Sequence, residues 1–583
     1  MSYLDWPRIN FTGRFFTNVS TINNDLDNYD PSAPVPDPGW NPNGIALFKF
    51  DSCKVTGVQA AGDDGKLVGA PVTTLSKPAA GKLVDLDPDD QSLSQVIGVA
   101  VSLKTAAGSG FQGALEPCNL QDMWTRSPVP KGNAGGSRAG AVFVSTLNSV
   151  QWTKADDVKA LKLLRDATQN SQLAIRFAVG SYFFADPDDP TSGFGTLVGS
   201  IGPRMNGDPV QFVRRRLLPA AAAQAAGLRS AAHVESAPPA HAEFEVQKGA
   251  KRRAAAPLPP LQFQACNFQL DAANRRLSLD LANSIQLASF AGPPRQVGQL
   301  RAVIVAADGK TEEVLQPKPF EFTDATNQTQ GGVVDVSLTQ GQSQKLEAMR
   351  AGVELKQSGG AWQLILAEHS SGMFANISPF TARVVGGESF SFGVQAFQWG
   401  KPLPNQTLGL TAESTQGTPD SLSIQGDGSG TAVTDQNGLA SFNVNTPTNL
   451  DIPDARQQLD SLCYVLTGPW ANLNGGILAS RIPPAGLLVW APYANAGMTD
   501  PTWEGQVQPI FDEYMRIYPG MKEIMDLTDL TVVQANLQKL LSAMSLPFEA
   551  PHRMPVTRDL SPQKIQVIIT WLKNQLAQQA GKT

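Results

Sequence analysis

Residues 388–410, ESFSFGVQAFQWGKPLPNQTLGL, are the most informative stretch for the fold, because apolar and polar residues alternate over the length of two paired strands. Gly400-Lys401-Pro402 interrupts the alternation with residues that favour a turn. The stretch GSGTAVTDQNGLASFNVNT at 428–446 repeats the pattern, and its Asn437-Gly438 supplies the positive φ of a tight hairpin. Both stretches predict strands that pair across their turns, at 400–402 and at 435–438, as in a β-sandwich.

This pattern resembles the immunoglobulin-like modules of bacterial surface and secreted proteins, and residues 387–495 are assigned to such a sandwich. The predicted fold class is mainly β: multidomain antiparallel β modules of sandwich or barrel type, with a small C-terminal α-helical domain. The other predicted parts are an N-terminal β-rich domain (1–217) with one helix near 154–168, an Ala/Pro-rich linker (218–260), a second β-rich domain (261–386) and a C-terminal helical domain (505–583).

The C-terminal region changes from strand to helix periodicity. Its three segments VQPIFDEYMRIYPGM, LTDLTVVQANLQKLLSAM and SPQKIQVIITWLKNQL space apolar residues three and four apart. Ser561-Pro562 provides a cap followed by proline at the first helical position. The pattern predicts three helices.

Composition narrows the classes of partner. The chain has 583 residues, too many for one hydrophobic core, and a net charge of -6, which disfavours nucleic acid and anionic lipid. It contains no run of about 18 apolar residues and no signal-like start, so we expect a soluble, cytoplasmic protein without a membrane span. The four cysteines lie far apart, as buried free thiols do.

Few residues suggest a catalytic or metal-binding site. Two of the four histidines, His233 and His241, fall in the predicted linker, where ligands would be poorly held. His369 follows Glu368 and could bind haem or a metal, but no second ligand stands at a usual spacing, so a packed or solvated histidine is favoured. No cofactor and no metal site are expected. The run Arg214-Arg215-Arg216 is interpreted as solvated charge at a domain boundary.

The first 25 residues carry a more specific signal. The order Leu4-Asp5-Trp6-Pro7-Arg8-Ile9-Asn10-Phe11, then Gly13, Thr21, Asn23 and Asp25, resembles the opening of the iminophenylpyruvate dimer synthases of the violacein pathway and their indolocarbazole relatives. Further segments resemble that family in the same order: FGTLVGSIG with RRRLLPA, LSLDLANSI, GGVVDVSL, YMRIYPGM and MPVTRDLSPQKIQVIITWL.

The resemblance covers the front half of such synthases, without the ferritin-like half that follows in them. It implies a link to enzymes that couple two imines derived from an aromatic amino acid, some of which are associated with haem. A ferritin-like metal site needs a Glu-x-x-His motif on each of two helices, and this sequence has that spacing only once, at Glu549-Ala550-Pro551-His552. A separate ferritin-like partner, or self-association, is therefore expected.

The aromatic and arginine residues of the first segment have two interpretations. Trp6, Phe11, Phe15 and Phe16 could bury large apolar areas as a packing signature, which is the favoured interpretation. Alternatively, aromatic rings and arginines could form a ligand pocket between the two terminal segments. The candidate ligand-binding residues are Trp6, Arg8, Arg14, Arg553 and Arg558.

Three functions follow as hypotheses. The first is a non-catalytic or partner-dependent binding or scaffold protein that resembles the front half of an imine dimer synthase. The second is a free-standing enzyme that couples or modifies an aromatic imine, although no complete catalytic constellation is visible. The third is a self-assembling structural or surface protein.

Overall fold

The computed structural model describes residues 2–21, 46–74, 81–85, 94–127, 139–183, 193–220, 261–357, 360–414, 423–425, 430–446, 458–467, 485–518, 521–522 and 524–581. These residues form four units: a first sheet, a second sheet, a two-sheet sandwich and a helical domain. The predicted fold class, multidomain antiparallel β with a small helical domain at the C-terminus, is confirmed.

The first sheet has thirteen strands among the described residues. β1 lies between β13 and β3 and is antiparallel to both. One helix, α1, follows a 3₁₀ turn at Ala155–Asp157 and is shorter than the helix predicted near 154–168. The elements are β1 (Arg8–Asn18), β2 (Ser20–Thr21), β3 (Leu47–Gln59), β4 (Val72–Thr74), β5 (Gly81–Asp85), β6 (Gln95–Ile97), β7 (Ala100–Lys104), β8 (Gly110–Leu115), β9 (Cys118–Asn119), β10 (Gln121–Thr125), β11 (Ala139–Thr153), α1 (Lys159–Asp166), β12 (Leu173–Phe183) and β13 (Phe194–Pro203).

The opening segment is central to this sheet because its alternate side chains enter the core. Phe11 and Phe15 on β1 are buried, and the Phe11 and Phe50 rings lie 5.6 Å apart. Gly199 leaves room for the Phe11 ring, since a Cβ there would lie 2.1 Å from its Cζ. Phe11 and Phe15 are therefore core residues, as the packing interpretation predicts, whereas Trp6 is 39% exposed.

The second sheet begins earlier than predicted. Its strand β14 lies between β22 and β15, so the predicted boundary at 217/218 divides a strand. Residues 221–260 of the predicted linker, with His233 and His241, lie outside the described residues. The elements are β14 (Arg215–Pro219), β15 (Cys266–Asp271), β16 (Arg276–Asp280), β17 (Gln299–Val305), β18 (Thr311–Val314), β19 (Phe320–Glu321), α2 (Asp324–Thr329), β20 (Val333–Ser337), α3 (Gln340–Leu346), β21 (Arg350–Lys356) and β22 (Gln363–Glu368).

The sandwich packs two sheets around buried residues such as Phe392 and Phe442. One sheet has the order β23-β25-β30-β28, with β26 beside β25, and the other has β24-β32-β31-β27-β29. The unit therefore begins at Met373, before the predicted residue 387. Its strands are β23 (Met373–Ser378), β24 (Thr381–Val385), β25 (Ser389–Gln398), β26 (Lys401–Pro402), β27 (Thr407–Ser414), β28 (Ser423–Gln425), β29 (Thr431–Val433), β30 (Leu439–Asn445), β31 (Gln458–Thr467) and β32 (Ala485–Trp490).

Only one of the two predicted strand pairs of the sandwich forms. β25 pairs with β26 across the turn at 399–400, as predicted. The pairing predicted across 435–438 is wrong, because β29 pairs with β27 while β30 pairs with β25. Gly438 has the expected positive φ of 71°, but its turn connects the two sheets of the sandwich instead of closing a hairpin.

The helical domain follows the sandwich. A π-helical turn at Trp503–Val507 leads into α4 (Gln508–Ile517), followed by α5 (Leu530–Ala535), α6 (Leu537–Met544) and α7 (Pro562–Ala580). Ser561 caps α7 as predicted, since its side chain accepts a hydrogen bond from the Lys564 N–H at 3.2 Å. The second predicted helix is divided at Asn536 into α5 and α6.

Candidate functional site: a cleft between three units

A cleft of about 240 Å³ lies where the first sheet, the second sheet and the sandwich meet. Arg204, Phe212 and Arg214 line it from the end of the first sheet and the segment after it. The second sheet contributes Arg215 and Glu347, and the sandwich contributes Trp399, Gly400 and Lys401. Cavities between units are a common position for ligand sites, although this volume is below the roughly 300–1,000 Å³ of most ligand pockets and therefore suits only a small ligand.

The sandwich wall of the cleft is a tight turn. Trp399 and Gly400 have φ values of 52° and 77°, the left-handed conformation that a two-residue hairpin turn uses at both positions. The Trp399 ring covers Gly372, where an added Cβ would lie 2.2 Å from the ring. The turn itself rests on the Arg215 side chain, 3.0 Å from a Cβ built on Gly400. The position of Trp399 is thus fixed from both sides.

The positive charges of the cleft are neutralised unequally. Arg215 forms a two-bond ion pair with Glu368, at 2.8 and 2.6 Å. Arg204 donates instead to the carbonyls of Pro209 and Asp208, at 2.7 and 2.6 Å, and burial lowers its pKa. Because carbonyl groups carry no net charge, the charge of Arg204 is offset only at longer range, by Asp208 and Glu116, which raise its pKa.

The two cations at the mouth of the cleft form weak ion pairs. Arg214 meets Asp208 at 3.4 Å, and Lys401, with a side chain 68% exposed, meets Glu347 at 3.2 Å. An exposed pair such as Lys401–Glu347 contributes about 0–1 kcal/mol, whereas Asp208 is only 7% exposed and Arg214 also donates to the Gly207 carbonyl at 2.9 Å. Lys401 can therefore turn to an anionic ligand at small cost, whereas Arg214 would first release the Gly207 carbonyl. Trp399 and Phe212 offer aromatic surface beside them.

The N-terminal segment reaches the cleft through Tyr3. This ring is buried, and its hydroxyl donates to Asp280 Oδ2 at 2.7 Å while Arg176 binds Asp280 Oδ1 at 2.7 Å. Burial, then the charge of Asp280, raises the pKa of Tyr3. Because Asp280 belongs to the second sheet, this network fastens the first sheet to it.

The structure brings two of the predicted site residues together. Trp6 Nε1 donates to Asp335 at 3.3 Å, and the buried Arg8 binds the same carboxylate at 2.5 and 3.3 Å. Arg276 lies over the Trp6 ring at 4.5 Å. Asp335 is on β20, so Trp6 and Arg8 join the first sheet to the second.

The other three predicted residues lie elsewhere. Arg14 is exposed, binds Asp51 at 2.9 Å and covers the Phe194 ring at 4.6 Å. Arg553 donates to the Leu546 carbonyl. The buried Arg558 donates to five backbone carbonyls of its own loop, which leaves little of its guanidinium for a carboxylate ligand; these belong to Phe548, Ala550, Arg553, Pro555 and Val556.

No hydrogen bond or ion pair among the described residues joins Trp6, Arg8 or Arg14 to Arg553 or Arg558, so the pocket predicted between the two terminal segments is not what these contacts form. Ligand binding by the five residues stays a prediction. The solvated charge predicted at 214–216 is wrong for two positions, because Arg215 and Arg216 are buried in ion pairs with Glu368 and Asp122.

Sequence reasoning missed the cleft. Its walls come from residues 2–3, 144–145, 174, 204–215, 269–272, 347 and 399–401, and no pattern along the chain connects them. The arginine run and the Trp-Gly turn were the only features of the sequence that could have indicated the cleft. Each was interpreted locally, the run as solvated charge and the turn as part of a strand pair.

His369 lies at the end of β22 in a short polar turn. Its Nδ1 is 2.8 Å from the Ser371 Oγ, and burial lowers its pKa, with a further contribution from Arg350. Within the described ranges, no group of three histidine, cysteine or carboxylate side chains is placed to hold a metal ion. Binding of haem at His369 stays a low-ranked prediction.

The described helices include none that is both long and apolar enough to cross a bilayer.

No protein-family model matches the chain, and no curated protein matches it. Similar solved structures include a Salmonella alpha-2-macroglobulin reacted with methylamine (9% identity, TM-score 0.14), covering 98% of this chain and 35% of that one. A mutant of the Salmonella protein (10% identity, TM-score 0.13) covers 84% and 26%. The N-terminal four Ig domains of Dscam1 (10% identity, TM-score 0.11) cover 83% and 100%. This chain spans about a third of the first macroglobulin chain.

Proposed function

We propose that this protein is a binding or scaffold protein that corresponds to the front half of an iminophenylpyruvate dimer synthase and works with a ferritin-like partner domain. The sequence segments that resemble those synthases, from Leu4–Phe11 to MPVTRDLSP, support this assignment. The single observation that carries the proposal is the cleft whose walls come from three units.

The contacts between units suit a scaffold. Besides the Tyr3–Asp280 bond, Asn119 of the first sheet donates to Thr381 of the sandwich at 2.6 Å. Trp490 of the sandwich donates to the Asp559 carbonyl beside the helical domain at 2.6 Å. Buried bonds of this kind hold the walls of a site in register, which is what ligand binding or the docking of a partner requires.

The cleft chemistry fits a small aromatic acid. Arg214 and Lys401 can meet a carboxylate, since their present ion pairs are long or exposed. Trp399 and Phe212 can contact an aromatic body. Aromatic 2-oxo acids, which are the hydrolysis products and close analogues of such imines, have both parts.

The ligand is tested by calorimetric titration of the full chain with phenylpyruvate and indole-3-pyruvate. We expect saturable binding that Arg214→Gln and Lys401→Gln each weaken by about tenfold, the equivalent of one charge-assisted contact. The control is Lys310→Gln, which removes another exposed lysine ion pair far along the sequence from the cleft. Equal binding by wild type and by both cleft variants would reject the cleft as the site.

Catalysis is tested on the same preparation. We expect no haem absorbance and no turnover of aromatic imines by this chain alone, with turnover appearing when a ferritin-like synthase half is added. A haem band that His369→Ala removes, or turnover by the chain alone, would contradict a binding role and favour the free-standing enzyme.

A further inference from the structure

Arg383 on β24 has an unusual environment. It lies where the sandwich meets the first sheet, and its Nη1 donates to Gln95 Oε1 on β6 at 3.0 Å. Its Nε and Nη2 atoms are excluded from solvent and have no hydrogen-bond partner among the residues that the structure describes. A buried donor without a partner costs about 1–3 kcal/mol, and more when it carries charge. The local fold leaves this cost uncompensated.

The unpartnered atoms form a defined recognition edge. Nε and Nη2 of a guanidinium point their N–H bonds in parallel, at a spacing that matches two oxygens of a carboxylate or phosphate. The same chain uses this edge in Arg215, whose Nε and Nη2 bind the two carboxylate oxygens of Glu368. Arg383 therefore presents, without a protein partner, the edge that holds a carboxylate elsewhere in the structure.

Other units bring further positive charge to the same place. The Phe548 ring has the guanidinium of Arg383 at 4.9 Å and that of Arg558 at 6.0 Å. Lys82 lies on β5, which pairs Lys82 with Ile97 and Val84 with Gln95, the residue that binds Arg383. Lys82 is buried, and burial, followed by the charge of Arg558, lowers its pKa to about 8. Burial and Arg558 likewise lower the pKa of Arg383. The first sheet, the sandwich and the loop before α7 thus each contribute a cation.

Asp559, whose charge acts on Arg383, already accepts hydrogen bonds from other side chains. Asp559 raises the pKa of Arg383, but its own oxygens accept hydrogen bonds from Tyr514, Tyr518 and Thr557 at 3.1, 2.5 and 2.6 Å. Burial raises the pKa of Asp559 as well, which weakens its negative charge. This carboxylate does not reach the Nε–Nη2 edge of Arg383.

We propose that this junction is an oxyanion site, in which Arg383 binds two oxygens of a carboxylate or phosphate group side-on and Lys82 supplies a second positive charge. Arg383 is only partly buried as a whole, but its Nε and Nη2 atoms are excluded from solvent, so the ligand reaches them by parting the junction locally. Around it lies an apolar seam formed by Val84 and Ile97 of the first sheet, Val385 and Trp490 of the sandwich, and Phe548. The anion would therefore fasten three units together.

The test is thermal unfolding of the full chain in chloride buffer, titrated with inorganic phosphate or with acetate, and with sodium chloride at equal ionic strength. A ligand that binds the folded state raises the unfolding midpoint with the logarithm of its concentration. We expect phosphate, acetate or both to raise the midpoint of the wild type beyond the effect of chloride. A response to phosphate alone identifies a phosphate group, and a response to acetate identifies a carboxylate.

Three variants isolate the site. Arg383→Met and Lys82→Met should abolish or weaken the response by about tenfold in apparent affinity. Arg383→Lys keeps the charge without the two-nitrogen edge and should also weaken the response to the anion. This variant tests the site if Arg383→Met does not fold. Arg276→Met, whose arginine has an unpartnered Nε but a carboxylate partner in Asp271, should respond as the wild type does. An unchanged response in the Arg383 variants, or none in the wild type, would overturn the site.

Discussion

Arg215 and Arg383 place the same side chain in two regions of the molecule with opposite outcomes. Arg215 lies on β14 beside β22, and the strand register that pairs Leu217 with Glu368 brings a carboxylate to its Nε–Nη2 edge. Arg383 lies at a boundary between units, where no strand register supplies a partner for that edge. At Arg215 the neighbouring strand supplies the neutralising carboxylate, whereas β32 places the apolar Leu488 opposite Arg383, and in the proposed site a ligand takes that role.

The largest expected effect comes from breaking the neutralised pair. Glu368→Gln leaves Arg215 buried beside a neutral side chain, and removing one partner of a buried ion pair costs on the order of 3–5 kcal/mol. Urea unfolding followed by tryptophan fluorescence measures the loss. A combined Arg215→Met and Glu368→Leu variant should recover most of the lost stability, because no charge then stays buried. A loss below about 1 kcal/mol in Glu368→Gln would show that the Leu346 and Met349 carbonyls alone are enough to stabilise the buried Arg215.

The second effect is a pH dependence at the other region. The pKa of Lys82 is lowered in the folded state from 10.5 to about 8, so below pH 8 its charge destabilises the fold and above pH 10.5 it is neutral in both states. Between these values the unfolded state binds more protons, and stability rises with pH. The rise is at most about 3 kcal/mol from the size of the shift.

This titration also reports on the proposed anion. The measurement is the difference in unfolding free energy between the wild type and Lys82→Met across pH 7–10.5, which cancels the other titrating groups. A bound oxyanion would hold the Lys82 pKa higher, so added phosphate or acetate should shrink the rise. A flat difference between the two proteins without added anion would mean that Lys82 bears no such penalty.

The third effect reverses the usual sign of an arginine deletion. In chloride buffer, Arg383→Met should leave stability unchanged or raise it by about 1–2 kcal/mol, because replacing buried charge with apolar atoms is often neutral or favourable. Loss of the Gln95 hydrogen bond sets the lower end of this range. Urea unfolding of Arg383→Met and Glu368→Gln under the same conditions compares the two arginines directly. If Arg383→Met were destabilised as much as Glu368→Gln, Arg383 would already have a partner.

The contrast also marks what the sequence can predict. Alternation in 389–398 and the Ser561-Pro562 cap are local signals, and the corresponding strand and helix start are found where predicted. Pairing between distant segments is not local. Gly438 has the predicted positive φ, but its turn connects two sheets, because β29 pairs with β27 and β30 pairs with β25. Arginine burial is equally non-local, since Glu368 stands 153 residues from Arg215. Both the cleft and the Arg383 junction depend on such distant partners.

The smallest effect is expected at an arginine that faces water. Arg14 pairs with Asp51 at 2.9 Å, but its side chain is 55% exposed, so water replaces the carboxylate at little cost. Arg14→Gln should change stability by less than about 1 kcal/mol, including the loss of its contact with Phe194. Urea unfolding measures the contribution of Arg14 to stability, and titration with phenylpyruvate measures its contribution to binding. Unchanged binding would leave the cleft as the site. A tenfold loss of binding with normal stability would support the ligand pocket predicted for the opening segment.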